Sequence, residues 1–171
     1  MIVADASVLI VLAKTRRLEI LRQVYGQVVV GPVVRKEVLE QGKAIGVPGV
    51  EWIEKAVEDG WICFVRLTAK EERLIRRIVR TSRLDEGEAE SLAVASSRWY
   101  MVVVDDKEAR ALAATMRLKF LGTAGVLLEA LLKGFLTLEE LEEAVTDLSR
   151  VLWLSPAVVS EILKRAREAK G

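Results

Sequence analysis

Asp5, Glu37, Glu88 and the pair Asp105-Asp106 are the side chains of this sequence whose type and placing could do chemistry. Asp5 follows the apolar run Ile2-Val3-Ala4, and Asp105-Asp106 follow Met101-Val102-Val103-Val104. Glu37 lies within Val33-Val34-Arg35-Lys36-Glu37-Val38-Leu39, and Glu88 within Asp85-Glu86-Gly87-Glu88-Ala89-Glu90. The chain has no histidine and a single cysteine, Cys63. An imidazole base and a zinc site of the usual kind are therefore excluded, and any chemistry must lean on carboxylates. Gathered at neutral pH, carboxylates raise one another's pKa unless a hard cation neutralises them. An all-oxygen ligand set suits Mg²⁺ or Mn²⁺.

Each acid also has a plain structural role open to it. Asp5 stands at a strand-to-helix turn, where Asp is a favoured N-cap, and one of Asp105 and Asp106 suits the cap of a helix beginning at Lys107. Asp85 with Glu88 has the spacing of a capping box. Glu37 stands beside Arg35 and Lys36, whose region offers a salt bridge, while Glu86 and Glu90 read as solvent-facing. Glu88 shares a helical face with Leu92 and Ala95, and Glu37 lies between Val34 and Val38. Both are expected on the core side, where a charge needs a partner.

The elements that must position these groups alternate in type. Ile2–Val3, Val28–Val30, Ile62–Val65 and Met101–Val104 are short β-branched or apolar runs and predict strands buried on both faces. Helical periods are predicted over 8–21, 33–41, 88–98 and 107–116, with a further stripe at Leu74, Ile75, Ile78 and Val79 behind a Thr68/Glu71 capping box. This alternation predicts an α/β fold, a parallel sheet flanked by helices. Gly46-Val47-Pro48-Gly49 is a turn before a helix containing Trp52. Segments 124–133, 138–148 and 157–169 read as helices, with Thr137/Glu140 and Ser155-Pro156 as start signals. One domain is expected over 1–171, with a core of about 1–123 and a helical C-terminal extension of about 124–171.

Composition narrows the function classes. About half the residues are hydrophobic and spread along the chain, which excludes a disordered protein. No apolar run approaches the roughly 20 residues needed to span a bilayer. The start has no basic region before an apolar stretch, so the expected location is the cytoplasm. Lone Cys63, in Trp61-Ile62-Cys63-Phe64-Val65, is expected as a buried, inert thiol. Basic and acidic residues balance at 26 and 25, so local patterning must decide whether nucleic acid is a partner. Two basic clusters stand out: Lys14, Arg16 and Arg17, and a helix carrying Arg73, Arg76, Arg77 and Arg80 ahead of Arg83. Such a helix is either a solvated face or an RNA-backbone contact. With no asparagine and three glutamines, the bias also fits a thermophilic origin.

Taken in order, the motifs resemble the PIN-domain nucleases, the fold of VapC-type toxins. Ile2-Val3-Ala4-Asp5-Ala6-Ser7 is similar to the family's opening strand, first acid and small hydroxyl residue. Gly31-Pro32-Val33-Val34-Arg35-Lys36-Glu37-Val38 is similar to the segment of the second acid. Leu84-Asp85-Glu86-Gly87-Glu88-Ala89-Glu90-Ser91-Leu92-Ala93 resembles the third-acid helix, with Glu88 where aspartate is commoner and Glu90 as a competitor. Val104-Asp105-Asp106-Lys107 resembles the fourth-acid strand end. Gly122-Thr123-Ala124-Gly125-Val126-Leu127-Leu128 and the helical tail resemble an uncharacterised VapC-like branch.

The resemblance implies Mg²⁺- or Mn²⁺-dependent hydrolysis of RNA. It implies Asp5, Glu37, Glu88 and Asp106 as the catalytic set, with Asp5, Glu88, Asp106 and Asp105 as metal ligands. Alignment on Lys107 favours Asp106 over Asp105. Ser7 would bond a ligand carboxylate or the phosphate, and Arg76, Arg77 and Arg80 would bind RNA. A small antitoxin partner and a homodimer are further implied. The alternatives are a non-catalytic PIN-like module binding RNA or protein, and a stand-alone RNA-processing nuclease. A receiver domain would need its Asp-Asp pair near the N-terminus. A haloacid-type phosphatase would need an aspartate at position 7, where Ser7 stands.

Overall fold

A computed structural model describes residues 1–170. Five short strands form one all-parallel sheet in the order β3-β2-β1-β4-β5. They are β1 (Ile2–Ala4), β2 (Val28–Val30), β3 (Ile62–Phe64), β4 (Met101–Val103) and β5 (Phe120–Leu121). Within each inner strand the side chains alternate between two cores. Ile2, Ala4, Val28, Val30 and Val103 enter one cluster, and Val3, Val29 and Val102 the other. A strand covered on both faces has no polar position to spare, which is why these segments read as unbroken apolar runs.

On the first face lie α1 (Ala6–Lys14), α2 (Glu19–Tyr25), α5 (Val50–Glu58), α9 (Thr123–Leu132) and α10 (Leu138–Val151). On the second lie α6 (Ala69–Thr81), α7 (Glu86–Arg98) and α8 (Lys107–Thr115). A short α3 (Pro32–Arg35) runs into a π-helical turn, Lys36–Gln41, then α4 (Gly42–Ala44). α11 (Pro156–Lys170) packs on α9 and α10. Val126, Leu127 and Leu131 of α9 are fully buried in the same cluster as β1 and α1, so the C-terminal helices share the core of the sheet. No helix among the described residues is long and apolar enough to cross a membrane.

Three sequence expectations change. The helix expected over 8–21 is two helices, because Thr15 ends α1 and Arg16 turns left-handed with φ +56°. The helix expected over 33–41 is split between α3 and a widened turn, with Gly31 and Pro32 at its start. Cys63 is half-buried on an edge strand, not buried, and its thiol donates to the Gly60 carbonyl at 3.4 Å. The turn at Gly49 is as expected, and its glycine is required. With φ +91°, a Cβ there would fall 2.7 Å from the carbonyl carbon of Ala13.

The capping boxes read from sequence all form: Thr68 with Glu71, Asp85 with Glu88, Thr137 with Glu140. Glu71 does more than cap. Fully buried, it accepts from Arg98 Nε at 2.8 Å, Arg98 Nη2 at 3.1 Å and Ser97 Oγ at 2.5 Å, clamping α6 to the end of α7. Burial pushes its carboxyl up, but Arg98, Ser97 and Thr68 outweigh that and hold it at about 2.

Candidate active site

In a parallel sheet, ligands bind beyond the carboxyl ends of the strands, where the strand order reverses. Here the reversal falls between β1 and β4, which pair directly with Ala4 opposite Val103. Asp5 follows β1 and Asp105 follows β4 by two residues, so the reversal brings both to one edge. α7 leads into β4 and packs on β1 and β4, so its first turn, with Asp85 and Glu88, lies at the same edge. The π-helical turn that follows β2 supplies Glu37 there too. Widened turns of this kind are frequent at functional sites.

Asp5 is buried, only 3% exposed. Its Oδ1 accepts from Ser7 Oγ at 3.0 Å and from the Val8 N–H at 2.9 Å, capping α1. No described residue donates to its Oδ2. Burial lifts the Asp5 carboxyl to about 7; the Val8 and Ser7 hydrogen bonds oppose this, and the charges of Asp105 and Glu88 add to it. Glu37 is also lifted to about 7, first by burial, then by Asp85, Glu90, Glu88 and Glu86. Its carboxylate occupies the space above Gly87, where a Cβ would fall 2.7 Å from Oε2. Glu88 is raised as well, by burial and by Asp85, Asp106 and Glu108, while the Asp85 N–H it caps at 3.0 Å opposes the rise.

The adjacent aspartates divide their work. Asp105 is half-buried and held at both oxygens by Thr123, from the backbone N–H at 2.7 Å and from Oγ1 at 2.6 Å. Asp106 is exposed and caps α8, accepting from the Ala109 N–H at 2.8 Å. Asp105 is the one whose charge acts on Asp5, and Asp106 acts on Glu88.

Glu90 departs most from the sequence reading. Instead of facing solvent it is fully buried, and its two oxygens accept from the Val33 and Val34 N–H groups at 2.9 and 3.0 Å. It therefore caps α3 from α7 and fixes the approach to Glu37. Gly31 leaves the room for it, because a Cβ there would overlap the Glu90 carboxyl. Thr123 and Gly87, which the sequence marks only as members of larger motifs, act through partners distant in the chain, Thr123 on Asp105 and Gly87 beneath Glu37.

Arg76, Arg77 and Arg80 lie exposed on α6 and form no ion pair among the described residues. α6 ends at Thr81, four residues before Asp85, so this basic face leads toward the acidic edge. Lys14, Arg16 and Arg17 do not join it. They end α1, which runs away from the carboxyl edge, and Arg17 is paired with Asp147 at 2.8 Å.

No three of the acids among the described residues converge closely enough to cage one ion in this arrangement. Their present partners explain it, because Asp5 and Glu88 cap helices and Asp105 is turned to Thr123. The donor set nevertheless suits a hard divalent cation: carboxylate oxygens only, three of the groups pushed upward first by burial and then by the charges of neighbouring acids. Mg²⁺ in particular keeps several waters and takes only one or two protein carboxylates.

Asp5 rises from 3.8 to about 7 on folding, so the metal-free folded state holds a proton that the unfolded chain has lost. That stabilisation is complete below pH ~4 and is lost as pH rises through about 7. Thermal melts in chelator are expected to fall between pH 5 and pH 8. A melting temperature that holds steady or rises over that range would contradict the raised Asp5 carboxyl.

A family model, DUF3368, described as a PIN domain, matches residues 1–168 of the chain. The chain matches no curated protein and no solved structure.

Proposed function

Because the chain belongs to the PIN-domain family, a family of nuclease-type modules, we propose that it is a Mg²⁺- or Mn²⁺-dependent endoribonuclease acting in the cytoplasm. The observation that supports this reading is the placing of Asp5 and Glu37 at one edge of the sheet, each within electrostatic reach of Glu88, with all three carboxyls lifted first by burial and then by neighbouring acids.

Asp5 through its free Oδ2 would hold the ion together with one of Glu88, Asp105 and Asp106, the others acting through bound water. When bound, the ion supplies Lewis-acid activation of the scissile phosphate and of the attacking water. Ser7 and the Val8 N–H fix the Asp5 carboxylate, and Thr123 fixes Asp105. Glu37 accepts a hydrogen bond from the attacking water and orients it in line with the leaving oxygen.

Gly87→Ala tests the Glu37 assignment. The added methyl would displace the Glu37 carboxylate, and a misplaced group near the chemistry costs roughly 10- to 100-fold in rate. Stability is unchanged or slightly raised, because alanine is the better helix former. Full RNA cleavage by this variant would remove Glu37 from the mechanism.

Arg76, Arg77 and Arg80 would neutralise the RNA backbone along α6. Replacing all three by Ala weakens RNA binding at low salt and lowers the salt slope by roughly two, at about 0.7 for each phosphate no longer neutralised. An unchanged slope rejects the basic face.

The VapC resemblance extends the proposal to a toxin with a small antitoxin partner, acting as a homodimer. Expression of the chain alone then arrests growth, and Asp5→Asn relieves the arrest.

A further inference from the structure

Beside the carboxylates lies a cavity of about 430 Å³ that the nuclease reading leaves unassigned. Its walls come from four parts of the chain: the start of α8 from Asp105 to Arg110, the start of α9 from Gly122 to Gly125, the segment Leu152 to Ser155 between α10 and α11, and Val158 and Ile162 of α11, which give it an apolar side. Its volume is that of a small-ligand site. Because it shares Asp105 and Asp106 with the acidic cluster, whatever fills it lies next to the reacting phosphate.

Two features say what fits. Trp153, on the rim, is 82% exposed, between the half-buried Leu152 and Leu154 that anchor its segment. The backbone is pinned around it, with Leu152 N–H on the Leu148 carbonyl and Ser155 Oγ capping α11. An indole held out in water by an anchored segment offers a flat apolar face. Lys107 and Arg110 line the same cavity, and neither is in an ion pair among the described residues. Gly122 keeps this wall open. A Cβ there would fall 3.0 Å from Asp105 Oδ1 and 3.6 Å from Arg110 Nη1, so the backbone, the acid and the guanidinium close on one point.

An aromatic platform joined to unpaired cations is how single-stranded nucleic acid is held without reading its sequence. We propose that this cavity seats the nucleotide adjoining the scissile bond, its base stacked on Trp153 and its outer phosphate held by Lys107 and Arg110. The inference rests on the nuclease reading and deepens it. It commits the substrate to an unpaired strand, because a base cannot enter the cavity while stacked in a duplex. It also gives the C-terminal helices a role, since without the segment between α10 and α11 the cavity has no rim. Trp153 is a substrate-positioning residue here and touches no reacting atom.

The test is binding of a labelled single-stranded oligoribonucleotide, in Mn²⁺, to protein carrying Asp5→Asn, whose slowed cleavage leaves it intact over the measurement. Adding Trp153→Ala weakens affinity roughly tenfold, the scale of one lost base stack, and Trp153→Phe restores most of it. An oligonucleotide set made abasic at one position at a time should contain one position where the Trp153 protein loses tenfold and the Trp153→Ala protein loses nothing further. Trp153 is exposed, so the fold survives its truncation. Equal RNA affinity with and without the indole overturns the seat even where the parent cleaves RNA. Unchanged RNA affinity with reduced self-association would assign Trp153 to a contact between copies and also overturns it. A parent that neither binds nor cleaves RNA overturns the nuclease reading, and the seat with it.

Discussion

Asp5→Asn lowers Mn²⁺-dependent RNA cleavage by roughly three orders of magnitude, while the metal-free protein at pH 8 melts no lower than the parent. The loss follows from position. Asp5 is the most buried member of the cluster and has one oxygen committed to Ser7 and Val8 and the other uncommitted. On the proposed reading, withdrawing its charge would remove a ligand from an ion worth several kcal/mol to the transition state, at 1.36 kcal/mol per factor of ten. The fold survives because asparagine keeps the oxygen that caps α1. It also removes a buried carboxylate that Asp105 and Glu88 repel, so the fall in stability between pH 5 and pH 8 flattens. Steady-state cleavage and thermal melts of the same two samples check both halves. A variant that loses activity by unfolding would contradict the assignment as surely as one that keeps it.

Arg98→Ala is the substitution expected to cost most in stability, about 3–5 kcal/mol, from a total that for a domain is about 5–15. Arg98 is the charge partner of the fully buried Glu71, and it also reaches the Arg66 carbonyl at 2.8 Å. Removing it strands a carboxylate already short of solvent, whereas Glu71→Gln alone keeps hydrogen-bond partners and costs less. The double variant, Glu71→Gln with Arg98→Ala, is therefore more stable than Arg98→Ala by itself, a reversal that denaturant melts resolve. The pair also sets the acid limb. With Glu71 lowered to about 2, its contribution is complete above pH ~4.5 and is lost as pH falls through about 2, opposite in sign to Asp5.

The parts of this molecule legible in the sequence are those whose cause is local. The buried strands announce themselves as β-branched runs because both faces are covered. The capping boxes need only residues three apart. The placing of Asp5 and Asp105-Asp106 at strand ends follows from reading the strands. What the sequence hides is set by partners far along the chain. Glu90 looks like one more surface acid until α3, 57 positions earlier, presents two N–H groups to it. Of Asp105 and Asp106 the alignment on Lys107 favours the second, and the fold shows what it cannot: Thr123, 18 positions on, holds the first. Strand β5 is two residues long, too short for any period, and exists because β4 offers it an edge. The break after α1 depends on one left-handed arginine, a conformation that composition does not foretell.

An ion shared by the carboxylates is the central claim, and the most direct measurement of it is anomalous scattering from crystals equilibrated with Mn²⁺. The expected result is a peak at the carboxyl edge of β1 and β4, with Asp5 and at least one of Glu88, Asp105 and Asp106 as ligands, and its disappearance in Asp5→Asn crystals. Saturating Mn²⁺ with no peak there, or a peak bound by other residues, would contradict it.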